Sequence, residues 1–166
     1  SNVFFYESTP GAPNDTDFYI DEVANTRFSV DRGFFEAPVS LAITSATPDA
    51  VIYYTLDCSE PGPGKAQVYA GPLSLTNTTV VRARAMREGW KSSKIDTHSY
   101  LFLGDVLHQA ATWPATRVPP PNFPATWGAN AVDYGMDPNV VSNYSAAEWK
   151  EALTQIPSLC LVSEMK

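Results

Sequence analysis

The stretch VIYYTLDCSEP, residues 51–61, is a β-branched and aromatic run that ends in turn-forming residues. Such a run is typical of a β-strand, whose successive side chains point to opposite faces. Ile52 and Tyr54 are therefore predicted to face one side, and Tyr53 and Thr55 the other. The Asp, Ser and Pro of the second half favour reversal of the chain. The stretch thus predicts a strand followed by a tight turn.

Further strand patterns lie on both sides of this stretch. Residues 39–43 and 80–86 alternate with a period of two, and shorter extended runs are predicted at 68–69, 73–75 and 94–102. Turn signals separate these runs at intervals of roughly 8–12 residues. The predicted fold is all-β, an antiparallel sandwich of the immunoglobulin or fibronectin type III kind.

The alternation also predicts which side chains form the core. Arg82 and Arg84 fall on the face opposite the apolar residues of their strand and are expected to be exposed. The pattern does not decide which side of residues 94–102 faces inward, because Ile95 and Tyr100 have opposite parity unless a bulge intervenes. The predicted core residues are Val39, Leu41, Ile43, Ile52, Tyr54, Leu73, Leu75, Val81, Ala83 and Ala85.

Changes in composition and hydrophobic pattern divide the chain into three parts. Residues 1–27 are interpreted as a linker and the tail of a preceding domain, because a short apolar run is followed by turn-rich sequence. Residues 28–103 form the predicted sandwich. Residues 104–166 are interpreted as a Pro-rich strap, one short helix and a terminal strand that lead into a next domain.

Two elements are predicted in the last part. Ser145 and Glu148 form a capping box ahead of a helix at residues 146–155, with Trp149 and Leu153 near one face. Residues 159–162 are apolar on both faces and predict a strand. Such a strand is expected to lie against the helix and to pair with the sandwich edge, with residues 1–8 or with a neighbouring molecule.

Composition excludes several classes of function. The 166 residues carry a net charge of −7 without a basic cluster, which disfavours nucleic-acid binding. No apolar run approaches the roughly 20 residues that span a bilayer. The two cysteines, Cys58 and Cys160, are far apart in sequence, and two separate thiols are favoured over a bridge.

No residue pattern indicates an enzyme, a cofactor or a metal site. His98 and His108 have no Cys, Asp or Glu at the spacing of a zinc site or a catalytic triad. Small acidic groups such as Asp133 and Asp137 do not form a calcium loop and are interpreted as solvated turn residues. The chain is therefore predicted to be non-catalytic.

Four aromatic residues remain as candidate ligand-binding residues. Tyr53, Trp90, Trp113 and Trp127 would stack on sugar rings if their faces are exposed. The alternative is structural: Trp90 caps the core, and Trp113 and Trp127 fix the Pro-rich strap to the sandwich.

Two motifs resemble a known family. Residues 52–61 resemble the Y-T-x-D-G-S-x-P signature of the chitobiase/β-hexosaminidase C-terminal domain family, and residues 69–75 (YAGPLSL) resemble its Y-x-G-P-[IL]-x-[LIV] element. Cys58 stands where the family usually has Gly. If that position requires a positive φ, a non-Gly residue costs about 1 kcal/mol or more.

The resemblance implies an accessory, non-catalytic domain of a secreted bacterial multidomain protein. Residues 4–14 resemble the end of a lamin-tail domain, and residues 104–162 resemble the region leading into a CotH-type segment. The expected partners are neighbouring domains of the same polypeptide, and the role is that of a spacer or interaction module. The alternative is carbohydrate binding, with a polysaccharide as the partner.

Overall fold

The computed structural model describes residues 4–5, 10–11, 18–111, 126–133 and 135–162. Its strands are β1 (Phe4–Phe5), β2 (Phe18–Tyr19), β3 (Thr26–Phe28), β4 (Gly33–Phe35), β5 (Val39–Leu41), β6 (Ile43–Ser45), β7 (Val51–Thr55), β8 (Gln67–Val68), β9 (Leu73–Leu75), β10 (Thr79–Met86), β11 (Asp96–Phe102), β12 (Thr126–Trp127) and β13 (Asn130–Ala131). Its helices are α1 (Leu103–Leu107), α2 (Pro138–Ser142) and α3 (Ala146–Gln155). Within the ranges given, none of these helices has the length and apolar character needed to cross a membrane.

The main layer of the sandwich is a five-stranded sheet in the order β4-β11-β10-β7-β8. Strand β10 pairs antiparallel with both β7 and β11, and β4 joins the outer side of β11 in parallel. Ala83 lies opposite Tyr54 in β7 and opposite Asp96 in β11. The alternating residues of β10 therefore set the two faces of the sheet.

The opposite layer consists of two ladders, β3–β6 and β5–β9. The sequence predicts one strand over residues 39–43, but the chain changes partner at Ala42, where β5 ends and β6 begins. Ser29 fixes this point, since its hydroxyl accepts from the Ala42 amide and its amide donates to the Ala42 carbonyl. One continuous apolar pattern thus serves two ladders.

The core lies between the two layers and contains most of the predicted residues. The cluster of buried residues is Val39, Leu41, Ile43, Tyr54, Leu75, Val81, Ala83, Tyr100 and Phe102. Ala85 is also fully buried, whereas Ile52 and Leu73 are only partly buried. Strand β11 begins after Ile95, so Tyr100 and Phe102 share the inward face without a bulge. The predicted all-β sandwich is confirmed.

The expected exposure of two arginines is wrong. Arg82 and Arg84 lie on the outer face of β10, as predicted, but both are half-buried. The loop that follows β7 folds over this face and contacts both guanidinium groups, Arg82 through the Cys58 carbonyl and Arg84 through the Glu60 carboxylate. A period of two gives the face of a residue but not what covers that face.

Ordered structure precedes the predicted start of the sandwich. Val23 is 2% exposed, and β3 begins at Thr26 and pairs with β6. The division that the sequence indicates between residues 27 and 28 therefore falls inside β3. Strands β1 and β2 form a small separate ladder, Phe4 opposite Tyr19.

The predicted helix is confirmed and has a helical neighbour. Ser145 and Glu148 form the reciprocal capping box at the start of α3. The expectation of one short helix is incomplete, because α2 precedes α3 and begins with Asp137 as its N-cap and Pro138 at its first turn. Residues 112–125, which contain most of the predicted Pro-rich strap, lie outside the described residues.

The predicted terminal strand at residues 159–162 is wrong. Residues 159–162 form neither strand nor helix, and Leu159 and Leu161 are 84% and 85% exposed. The segment lies against the outer face of β11, whose two edges are already paired with β10 and β4. A segment that lies on the face of a sheet has no free backbone groups to pair with.

Candidate functional site

The outer face of the five-stranded sheet carries the candidate residue Tyr53. Tyr53 faces away from the core, as predicted, and lies opposite Arg84 in β10 and Val68 in β8. Its ring is half-buried, whereas Val51 and Val68 beside it are 41% and 56% exposed. These three residues form an apolar patch on the β7–β8 side of the sheet, called here the Tyr53 patch.

A charged pair borders the Tyr53 patch. Nη2 of Arg84 lies 2.7 Å from Oε1 of Glu60, in the loop that follows β7. The Nε of Arg84 is enclosed without an acceptor in the described residues. The patch thus combines an aromatic ring with a guanidinium and a carboxylate at its edge.

The turn after β7 is held by its own side chains. Oδ1 of Asp57 accepts from the amide of Ser59 at 3.0 Å and from its hydroxyl at 2.6 Å, and the Thr55 hydroxyl donates to the Ser59 carbonyl at 2.7 Å. Between them, Cys58 has a φ of 66°. The position expected to require a positive φ does adopt one, with a non-Gly residue.

A groove of about 360 Å³ lies between the terminal segment and the outer face of the sheet. Phe34 and Leu101 line one wall, and Leu159 and Val162 line the other. The Sγ of Cys160 lies 3.0 Å from the hydroxyl oxygen of Ser99. The sequence gives no signal for this contact, because 61 positions separate the two residues.

The chain enters the sandwich through a short set of backbone bonds. The Ile20 amide donates to the Gly89 carbonyl at 2.9 Å, and Lys91 is bonded through its amide to Asp21 and through its carbonyl to Val23. Nζ of Lys91 is also 3.3 Å from Glu22. These contacts, the entry anchor, lie beyond the end of β10.

The chain leaves the sandwich at the opposite end. Phe102, the last residue of β11, donates its amide to the Thr78 hydroxyl at 3.0 Å, and the Thr78 amide donates to the carboxylate of Asp105 in α1. Thr79 lies opposite Tyr100, so the end of β11 is beside the start of β10. These contacts are the exit anchor.

Part of the sandwich matches a known domain family. Residues 30–97 match the model of the chitobiase/beta-hexosaminidase C-terminal domain family. This segment, the matched domain, includes the Tyr53 patch and the Cys58 turn. The family is a C-terminal β-sandwich module of chitobiase and hexosaminidase, which is consistent with an accessory domain. No curated protein and no solved structure matches the chain.

The match does not extend to either flank. The resemblances of residues 4–14 to a lamin-tail domain and of residues 104–162 to a CotH-type leader therefore stay predictions. The same holds for the division of the chain into domains.

The four candidate aromatic residues do not form one surface in the described part of the chain. Trp90, also in the matched domain, lies in the turn after β10, half-buried, with the guanidinium carbon of Arg87 4.7 Å from its ring centroid. Trp113 lies outside the described residues, and of Trp127 only the backbone pairing with Asn130 is described. No ring contact between Tyr53 and Trp90 is found where the structure is described.

The two histidines have structural surroundings. The ring of His98 stacks on Phe28 at 4.3 Å with an interplanar angle of 10°. Burial, aided by the positive charge of Arg32, lowers the pKa of His98 below 6.5. Burial likewise raises the pKa of Tyr100 to about 12, and its hydroxyl donates to the Val30 carbonyl at 2.8 Å. His108 is bonded through Nδ1 to the carbonyl of Gly104 in its own helix.

A metal site is not formed by the described residues. Among residues 4–5, 10–11, 18–111, 126–133 and 135–162, no three His, Cys, Asp or Glu side chains are grouped for an ion. Neither Cys58 nor Cys160 takes part in a disulfide in the described part of the chain.

Proposed function

We propose that this chain is a non-catalytic accessory module of a secreted multidomain protein, in which the sandwich holds its neighbours at a fixed separation. The observation that carries the proposal is the placement of the entry and exit anchors at opposite ends of β10 and β11. Connections at opposite ends suit a module that lies between two neighbours in series, because the neighbours are then on opposite sides of the sandwich.

The entry anchor supports the proposal because it is made of backbone hydrogen bonds. Three such bonds join residues 20–23 to Gly89 and Lys91. Val23 is buried beside them, so the segment is held by packing as well as by hydrogen bonds. Backbone bonds supported by a buried side chain resist local opening.

The exit anchor supports the proposal at the other end of the sandwich. Helix α1 begins directly after β11, and Leu103 is 5% exposed. The carboxylate of Asp105 is bonded to the Thr78 amide in the turn between β9 and β10. The first residues beyond the sandwich therefore have a fixed direction.

The body between the anchors is rigid by the same criteria. Strand β11 has seven residues, which correspond to about 20 Å. It lies between β4 and β10 in the sheet, and its inward side chains Tyr100 and Phe102 are in the core. The test is the distribution of distances between spin labels placed at Phe18 and Ala110, beyond the two anchors.

A second candidate function, carbohydrate binding, is favoured by the Tyr53 patch. An aromatic ring flanked by exposed apolar side chains, with an arginine and a carboxylate at the edge, provides the stacking surface and polar partners that a pyranose ring uses. The proposal places the sugar over Tyr53, with its hydroxyl groups toward Arg84 and Glu60.

This candidate is tested by titrating the protein with chito-oligosaccharides while recording the methyl signals of Val51 and Val68. The expected result is a saturable shift of both signals that Tyr53→Phe retains and Tyr53→Ala removes. Trp90→Phe is the matched control and should leave the shift unchanged. A glycan array without a hit, or shifts unaffected by Tyr53→Ala, would exclude sugar binding at this patch and leave the spacer role untouched.

A further inference from the structure

A second concave surface lies outside the matched domain, at the corner between α2 and α3. Tyr144, Glu148, Trp149 and Ala152 line a cavity of about 240 Å³. Tyr144 stands in the connection between the helices, and Glu148 and Ala152 are one helical turn apart. The cavity is therefore formed by two aromatic rings, one carboxylate and one small side chain.

The two rings form walls at nearly a right angle. The centroids of Tyr144 and Trp149 are 5.8 Å apart, and their planes meet at 81°. Nε1 of Trp149 donates to the Val141 carbonyl at 3.2 Å, which fixes the indole against α2. Tyr144 is 55% exposed, so its ring is accessible from solvent. The aromatic walls exist before any ligand arrives.

The carboxylate is also held in place. Oε2 of Glu148 accepts from the amide and from the hydroxyl of Ser145, both at 2.7 Å. These hydrogen bonds lower the pKa of Glu148, so the group is ionised at neutral pH. The other oxygen, Oε1, has no partner among the described residues.

The nearest cation in α3 does not neutralise this charge. Lys150 points to the sandwich, where its Nζ is 3.0 Å from Glu36. Glu151 adds a second negative charge on the same helix and is bonded to Gln155. The corner therefore presents a negative charge beside two aromatic rings.

We propose that the α2–α3 corner binds an organic ammonium group, quaternary or alkylated, in the cavity against the rings of Tyr144 and Trp149 and beside the carboxylate of Glu148. Aromatic faces attract such a cation through their quadrupoles, and alkylation lowers the cost of removing it from water. A carboxylate adds charge complementarity. A free small molecule and an alkylated lysine of a peptide share this chemistry.

The test is a titration of the full chain with choline, recorded through the indole N–H signal of Trp149, which the Trp149→Phe spectrum assigns. The matched probe is 3,3-dimethylbutan-1-ol, which has the same shape without the charge. Choline is expected to bind about three- to thirtyfold more tightly than the alcohol, the range of a cation–π contact. A peptide that contains trimethyl-lysine is titrated in parallel. Tighter binding of the peptide than of choline would indicate a peptide ligand, and tighter binding of choline would indicate a free small molecule.

Three variants make the result specific. Glu148→Gln retains the capping box, since Gln also reaches back to the N-cap, and it should remove most of the preference for choline. Tyr144→Leu should remove it as well, and Tyr144→Phe should retain it. Equal binding of choline and the alcohol, or no shift of the Trp149 signal with choline in a folded protein, would overturn the proposal. If Glu148→Gln loses helix by circular dichroism, the comparison of Tyr144→Leu with Tyr144→Phe decides.

Discussion

The carbonyl of Cys58 accepts a hydrogen bond of 2.7 Å from Nη1 of Arg82, and the donor comes from the outer face of the central strand β10. This bond connects the turn after β7 to the sheet. Cys58 keeps a φ of 66° in that turn, a conformation that side chains with a Cβ rarely adopt. The turn is thus held in place from outside at a position with backbone strain.

Substitutions at Cys58 should follow the cost of that strain. Cys58→Gly keeps the carbonyl and is expected to raise the free energy of unfolding by up to about 1 kcal/mol, since the gain in the fold exceeds the added freedom of the unfolded chain. Cys58→Val should lower it by about 1–2 kcal/mol, because a β-branched residue fits a positive φ least. Urea titrations measure both, and Cys160→Val is the control. If Cys58→Val proved more stable than Cys58→Gly, the inferred backbone strain at this position would be refuted.

Arg82→Ala should be clearly destabilising, by about 1–2 kcal/mol, because the variant leaves the Cys58 carbonyl without its charged donor. The same change at the exposed Arg27 of β3 should stay within about 0.5 kcal/mol. The two variants are compared in one series of denaturant titrations. Equally small losses of unfolding free energy in both variants would show that the bond between Arg82 and the Cys58 carbonyl does not stabilise the fold.

The sandwich should lose stability as the pH falls toward 5.5. Since burial and Arg32 hold the pKa of His98 below its usual 6.5, the unfolded chain binds a proton more readily than the folded one. The stability from neutral His98 is therefore present above about pH 6.5 and decreases below it. The negative charges of Asp31 and Asp96 oppose this lowering of the His98 pKa. The ring of Tyr100, whose centroid is 6.3 Å from that of His98, carries no charge in this pH range because its pKa is about 12.

Unfolding titrations between about pH 7.5 and 5.5 measure this slope, above the range in which ordinary carboxylates titrate. His98→Phe keeps a ring to stack on Phe28 and should flatten the slope. His108→Gln, at the exposed end of α1, should leave it unchanged. A slope that persists in His98→Phe would assign the pH dependence to another group.

Backbone amides of the terminal segment should exchange rapidly with solvent. Within the described residues, residues 159–162 form no backbone hydrogen bond, and the segment is held on β11 through side chains only. Exchange at Leu161 is expected to approach that of an unstructured peptide, while Val81 in β10 is strongly protected. Protection at Leu161 that disappears on dilution would instead indicate pairing between molecules.

Local patterns in the sequence predict much of the fold. The alternation in β10 gives both its faces, because the side-chain period of a strand is a local property. The capping box locates α3, since both partners are three residues apart. The Cys58 conformation is foreseen because Cys replaces Gly in a recognisable turn motif. Each of these inferences uses residues close together in the chain.

Features that depend on distant parts of the chain escape such patterns. The change of partner at Ala42 depends on Ser29 and on two different ladders. The partial burial of Arg82 depends on a loop 24 positions away. Helix α2 is an exception, because Asp137 followed by Pro138 is a local start signal, although only one helix is predicted from the sequence in this part of the chain. Of the candidate site residues, only the outward direction of Tyr53 followed from the pattern.

The central claim, a rigid body with anchored connections at opposite ends, is tested most directly by electron–electron double resonance. Spin labels replace Phe18 and Ala110 in a background in which Cys58→Gly and Cys160→Ser remove the native thiols. The expected distribution is a single peak at about 20 Å or more, no broader than that of labels at Thr44 and Thr76 within the sandwich. Asp105→Ala should broaden the first distribution and leave the second unchanged. If the labels at Phe18 and Ala110 gave a broad distance distribution that extends to short distances while Asp105 is unchanged, the claim of a rigid body with anchored connections would be contradicted.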